Sequence, residues 1–141
     1  MLDSGNDIVN ALLRQKLIYA GSKNIQLDIQ SSLPESLPID SVDLCTVISN
    51  LLDNAIDACV VQDFPKISLS IQQAESYIHI QCVNTVTFDV CKENPGLRTT
   101  KQSGYHGIGL QIVRRIVEKY DGIFEYHMED MSFFVTLMLH I

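Results

Sequence analysis

Asn50, Asn54 and Asp57 are spaced i, i+4, i+7 within Ser49-Asn50-Leu51-Leu52-Asp53-Asn54-Ala55-Ile56-Asp57-Ala58, so on a helix they project from one face. Leu51, Ala55 and Ala58 each follow one residue behind, about 100° further round. A polar stripe beside an apolar one suits a helix that packs on a sheet and turns its carboxamides toward a pocket. The polar residues are costly there. Asn and Asp compete for nearby backbone groups in a helix interior, and Asn50, Asp53, Asn54 and Asp57 together cost about 2 kcal/mol against alanine. A solvated face would tolerate them, whereas a site would require them. Asn54 offers a hard oxygen suited to Mg²⁺, which takes one or two protein oxygens and completes its shell with phosphates and waters.

The second segment, His106-Gly107-Ile108-Gly109-Leu110, favours the site. Gly107 and Gly109 flank the start of a helix, where small residues let backbone N–H groups approach an anion and the helix dipole favours negative charge. Two glycines before a helix are often only a turn. These follow a long loop bearing Thr99, Thr100, Lys101 and His106, all able to donate to phosphate. Lys101 is suited to a terminal phosphate as a point charge. Solvated loop charge is the plain reading of Lys101 and Arg98, and an incidental loop residue that of His106. Asn84 falls in phase with Ile78, Ile80 and Cys82, at the end of a strand and on its core side. A buried carboxamide must find partners or cost roughly 1–3 kcal/mol, so Asn84 either caps a turn or reaches a ligand through the open end of a sheet.

The elements that hold these residues are legible in order. A helix is expected from about Ser4 to Ala20, capped by Ser4 or Asn6, with an apolar stripe of Ile8, Leu12, Leu13, Leu17 and Ile18 and a stop at Gly21. Ile25, Leu27 and Ile29 alternate as a half-buried strand. Asp40 or Ser41 then caps the asparagine-bearing helix, which runs to about Val60. Ile67–Ile71 and Ile78–Cys82 read as a hairpin about a turn at Gln73–Ser76. Thr85–Tyr105 has no period, and a loop of that length is commonly a lid or a binding loop. A helix over Gly107–Tyr120 ends at Asp121-Gly122. Phe124–Met128 and Phe133–Leu139 form two strands about a turn at Glu129-Asp130. The order helix, strand, helix, strand, strand, helix, strand, strand predicts a two-layer α/β (α+β) sandwich, with a mixed, mainly antiparallel sheet and the helices on one face.

The length of 141 residues fits one domain with a real core. A net charge of −7 argues against a nucleic-acid surface, which needs clustered Lys and Arg. Cys45, Cys59, Cys82 and Cys91 have no CxxC or metal spacing. The first three read as small buried hydrophobes and Cys91 as a loop residue, which fits a reducing cytosol. The longest apolar run, near Phe133–Leu139, is too short to cross a bilayer.

Together the motifs resemble the GHKL superfamily of gyrase, the heat-shock chaperone ATPase, histidine kinases and mismatch-repair ATPases. Asn50-Leu51-Leu52-Asp53-Asn54-Ala55 is similar to its N box, and His106-Gly107-Ile108-Gly109-Leu110 to its second glycine box. The pattern Thr99-Thr100-Lys101 leading to Leu110, and Gly5-Asn6 followed by Leu12, Leu13 and Lys16, resemble sensor histidine kinases, particularly the peptide-sensing quorum kinases of Gram-positive bacteria. The resemblance implies the Bergerat-type ATP-binding fold, with ATP and Mg²⁺ as ligands. Residues 1–22 would be a lead-in helix from an upstream dimerisation region, and 23–141 the ATP-binding catalytic domain. It implies that Asn54 ligates Mg²⁺, that Asn50 positions the triphosphate, and that Gly107 and Gly109 cradle phosphates. Asp57, Ile108 and Leu110 come with the two boxes, and Thr99, Thr100, Lys101 and His106 with the loop. Catalytic roles fall to Asn50, Lys101 and His106. Asn84 would accept from the adenine amino group, where many members place an Asp. Asn84-Thr85-Val86-Thr87-Phe88 lacks the glycines of the family's first glycine box. Hydrolysing branches carry a Glu at position 50 to activate water, which Asn50 cannot do, so the resemblance favours phosphoryl transfer to a protein. The acceptor would be a His on an upstream dimerisation helix, since no helix here carries a His in its body. A response regulator would act downstream, and the chain would be the cytosolic, non-membrane-contacting part of a membrane-anchored receptor. The alternatives are a degenerate GHKL nucleotide-binding or interaction module, and an anti-sigma-type serine kinase.

Overall fold

A computed structural model of the chain describes residues 6–34, 36–87 and 106–141, the side chains of residues 106–108 excepted. The elements are α1 (Asp7–Ser22), β1 (Gln26–Ser32), α2 (Ser41–Cys59), β2 (Lys66–Ala74), β3 (Tyr77–Thr85), α3 (His106–Lys119), β4 (Ile123–Glu129) and β5 (Ser132–His140). The sheet has the order β1-β2-β3-β5-β4. Among the described strands only the β1–β2 pair is parallel, because α2 carries the chain back across the sheet between them. The remaining pairs are antiparallel, β2–β3 and β4–β5 as hairpins and β3–β5 between them. This is the two-layer, mixed and mainly antiparallel arrangement expected from the order of elements.

The alternation in β2, β3 and β5 sends one set of side chains into the core. Ile80 stands between Ile71 and Leu137, and Cys82 between Leu69 and Val135. These residues pack against Leu44, Ile48, Leu52 and Ile56 of α2 and Leu110, Val113 and Val117 of α3. A residue from each strand lands on the same face every second position, so the register fixes which side the helices cover. Burial pushes the Cys82 thiol up to about 12, so it stays protonated and inert. Cys59 is buried too, but Cys45 is only half-buried. Cys91 lies outside the described residues.

Three local expectations are corrected. Of the two expected caps it is Asn6 that closes α1, its side chain accepting from the Ile8 and Val9 amides at 3.0 and 3.1 Å. The helix then runs through Gly21 to Ser22 rather than stopping at the glycine, and Asn24 takes the left-handed turn at φ 59°. The buried side of α1 is Val9, Leu13 and Ala20, whereas Ile8 and Ile18 are 59% and 74% exposed. The apolar residues of α1 spread over both sides of the helix, so its composition alone left the phase open, and packing against α2 and β1 chose it. α3 ends before Asp121-Gly122 as expected, with Asp121 in the left-handed conformation at φ 49°. Gly122 is there for close approach, because a Cβ on it would overlap the Met138 carbonyl oxygen. The β4–β5 turn falls on Asp130 and Met131, both with positive φ, one residue later than the sequence suggests.

Candidate functional site

α2 starts at Asp40, whose carboxylate accepts from the Val42 amide at 2.7 Å. Its apolar stripe of Leu44, Val47, Ile48, Leu51, Leu52, Ala55 and Ile56 fixes the helix on the sheet. That leaves Asn50, Asp53, Asn54 and Asp57 along the opposite flank, and all four line one open cavity of about 740 Å³. Gly109, in the first turn of α3, lines the same cavity. Two segments about fifty residues apart in sequence therefore meet across it.

The approach is close. A Cβ on Gly109 would lie 3.0 Å from Asn50 Oδ1, so only glycine leaves that carboxamide undisturbed. Asn50 is itself held, since its Nδ2 donates to the Thr46 carbonyl one turn earlier at 2.8 Å. Its Oδ1 is thereby aimed at the α3 terminus. Asn54 has the opposite condition. Its Oδ1 is buried and has no hydrogen-bond partner among the described residues. Only two other buried side-chain atoms there share that condition, Ser31 Oγ and His79 Nδ1, and neither residue lines the cavity. A buried acceptor without a donor costs about 1–3 kcal/mol, and a hard cation is a partner that would repay it. The Asn54 carboxamide, on a cavity that the Asp57 carboxylate also lines, supplies the kind of hard oxygen that Mg²⁺ takes.

The two helices are locked at their other ends. Asp43, in the first turn of α2, accepts from Lys119 Nζ at 2.7 Å and from the Tyr120 hydroxyl at 2.6 Å. The Tyr120 oxygen in turn accepts from the Asp40 amide at 3.1 Å. The Lys119 and then the Tyr120 bonds hold the Asp43 carboxyl below its ordinary range. The clamp fixes how α3 crosses α2, and so where Gly109 meets Asn50.

Asn84 is 3% exposed, between Ile67 and Phe133, in the core-facing phase its spacing requires. Its Nδ2 donates to the Thr85 carbonyl at 3.0 Å, and it does not line the cavity around Asn54. Gln62 ties the same end of β3 to α2, donating to the Thr85 and Ala58 carbonyls at 2.7 and 2.8 Å. Val86 continues into the core, its amide donating to the Met131 carbonyl at 3.0 Å. The Leu110 side chain is also core, so any contact it offers a ligand comes from its backbone. His106, Gly107 and Ile108 form the first turn of α3. Thr99, Thr100 and Lys101 lie outside the described residues.

One wall was not read from the sequence as part of the site. Gln15, Lys16, Ile18, Tyr19 and Ser22 of α1 line the cavity opposite α2. Lys16 Nζ donates to Asp53 Oδ1 at 2.5 Å. The available signal was position: Lys16 follows Leu13 by three and precedes Ala20 by four, both buried, so it rides on the packed side of α1.

The family model described as a GHKL domain matches residues 39–140. No curated protein matches the sequence. Among solved structures, the catalytic domain of the histidine kinase ThkA superposes with a TM-score of 0.72 at 17% identity, covering 94% of this chain and 91% of that one. The mycobacterial sensor histidine kinase MprB gives 0.72 at 16%, covering 95% and 93%. The histidine kinase domain of the Erythrobacter litoralis blue-light activated kinase EL346 gives 0.73 at 12%, covering 94% and 60%. At these identities the likeness is one of fold, and it extends into α1. Among the described residues no helix is long and apolar enough to cross a membrane.

Proposed function

The chain belongs to the GHKL domain family, and from that premise we propose that it is the ATP-binding catalytic domain of a two-component sensor histidine kinase. The observation that carries the reading is the unpartnered, buried Oδ1 of Asn54 on the cavity that Gly109 closes. ATP is the substrate, and Asn54 is the residue that would hold Mg²⁺. Such a cation supplies neutralisation of the phosphate charge and polarisation of the transferred group. The first-turn N–H groups of α3 have no intrahelical acceptors and face the polyphosphate with the positive end of the helix. Asn50 fixes the approach of that turn and, lacking a basic group, does not activate water. That supports transfer to a protein rather than hydrolysis. Lys101 and His106 are assigned to the terminal phosphate, and Thr99 and Thr100 to the same loop. Asn84 is assigned to the adenine amino group.

The acceptor is a His on a dimerisation helix that is no part of residues 1–141. Residues 1–22 are its lead-in and 23–141 the catalytic domain proper, although α1 shares the core through Val9, Leu13 and Ala20. A response regulator would receive the phosphoryl group afterwards, and the domain would work on the cytosolic side of a membrane-anchored receptor. One observation favours the second reading, a degenerate nucleotide-binding module: Val86 packs into the core where the first glycine box would open. The test is phosphotransfer from γ-labelled ATP to a dimerisation domain supplied in trans. Acid-labile label on the acceptor domain supports the kinase. Nucleotide binding without transfer supports the module, and acid-stable label on a protein Ser supports the anti-sigma-type kinase.

A further inference from the structure

Lys16 is the only cationic side chain among the described residues that line the cavity, which Asp53 and Asp57 also line, and its ammonium meets the Asp53 carboxylate. Its side chain is 13% exposed, whereas that of Asp53 is 52% exposed. The aliphatic stem is thus covered by protein while the ammonium is delivered to the cavity rim. Lys16 and Asn54 line the same cavity, so the ammonium and the carboxamide proposed to hold the metal serve one site. Resting on the nucleotide reading above, we propose that Lys16 is a phosphate-binding residue contributed by α1, and that Asp53 holds its ammonium only until a polyphosphate takes it over.

Three physical points carry this. The described lining has two carboxylates against one ammonium, so a polyanion entering it needs every cation within reach. The stem is already packed and the ammonium already stands at the rim, so little further side-chain ordering is required to meet a phosphate oxygen. Its present partner is half exposed, and pairs of that kind are weak and salt-screened, whereas a phosphate offers greater charge and more acceptor oxygens. Exchange of Asp53 for phosphate is therefore favourable. It also fastens α1 to the nucleotide, which links the segment leading into the domain to occupancy of the site.

The test is titration of a fluorescent ATP analogue, with Mg²⁺, into the wild-type chain, Lys16→Met, Asp53→Asn, the double variant and Asn54→Ala, with melting curves to establish folding. Lys16→Met is expected to weaken binding about tenfold or more, the loss of one charge-assisted contact. Asp53→Asn is expected to tighten it about two- to fivefold by releasing the ammonium, and that gain should shrink in the double variant. Opposite signs support the inference. Lys16→Met within twofold of wild type, or both single variants weakening binding together, overturns it, the latter because a merely structural pair would behave so. If wild type binds and Asn54→Ala removes the Mg²⁺ dependence, such a result leaves the nucleotide reading standing. A wild-type chain that binds no nucleotide overturns both.

Discussion

Gly109→Ala probes the contact between the two motifs, and its energetics can be worked from the structure. A glycine-to-alanine change inside a helix normally stabilises it by roughly 1 kcal/mol. Here the new Cβ would lie 3.0 Å from Asn50 Oδ1 and 3.7 Å from its Cγ. Asn50 can retreat only by giving up its 2.8 Å bond to the Thr46 carbonyl, worth about 1 kcal/mol. The two effects offset, so the free energy of unfolding in urea should change little. Gly21 supplies the control. It lies inside α1, and a Cβ there would meet nothing within 4 Å, so Gly21→Ala should stabilise by roughly 0.5–1 kcal/mol without altering the site. Nucleotide affinity should separate the two variants further. On the proposed reading the methyl group of Gly109→Ala would stand where the backbone approaches an anion, and affinity should fall at least about tenfold, as for one lost charge-assisted bond. If Gly109→Ala gains as much stability as Gly21→Ala and binds a fluorescent ATP analogue as wild type does, the Asn50–Gly109 contact is not what shapes this cavity.

Three further outcomes follow from the packing. Asp43 has a lowered carboxyl pKa, so the clamp contributes fully above the ordinary value of 3.8 and is lost as pH falls through the lower folded value; Asp43→Asn should flatten that acid limb in urea unfolding between about pH 5 and 2. Gly122→Ala should destabilise by about 3 kcal/mol, because its Cβ would overlap the Met138 carbonyl oxygen of the sheet and neither backbone can yield cheaply; a melting curve unchanged from wild type would refute the close approach. Met131→Gly should raise stability by about 1 kcal/mol, since Met131 sits at φ 57° in a two-residue hairpin turn that favours glycine; urea unfolding at neutral pH measures the gain.

The sheet and α2 were legible because each carries a periodic signal that burial enforces. Ile67, Leu69 and Ile71 alternate with serines, and the register could place them only inward. The i, i+4, i+7 stripe on α2 was legible for the same reason, and Asn50, Asn54 and Asp57 do share one cavity. What resisted reading was decided by partners distant in sequence. Ile8 and Ile18 are as apolar as Val9 and Leu13, and only the fit of α1 against α2 and β1 turned the first pair outward. Gly21 looked like a helix stop, yet Lys23 and Asn24 end α1. Lys16 was visible as a lysine on the packed side of a helix, but its partner is 37 residues away. The Asp43–Lys119–Tyr120 clamp spans an even longer separation and has no local pattern.

The central claim is that Asn54 is the metal-holding oxygen of a nucleotide site. It is tested most directly by titrating a fluorescent ATP analogue, with and without Mg²⁺, against wild type and Asn54→Ala. The variant should fold at least as stably, because it removes a buried acceptor without a partner and places alanine within α2. It should lose the Mg²⁺-dependent part of the affinity. Equal affinity and equal Mg²⁺ dependence in the two proteins would contradict the account.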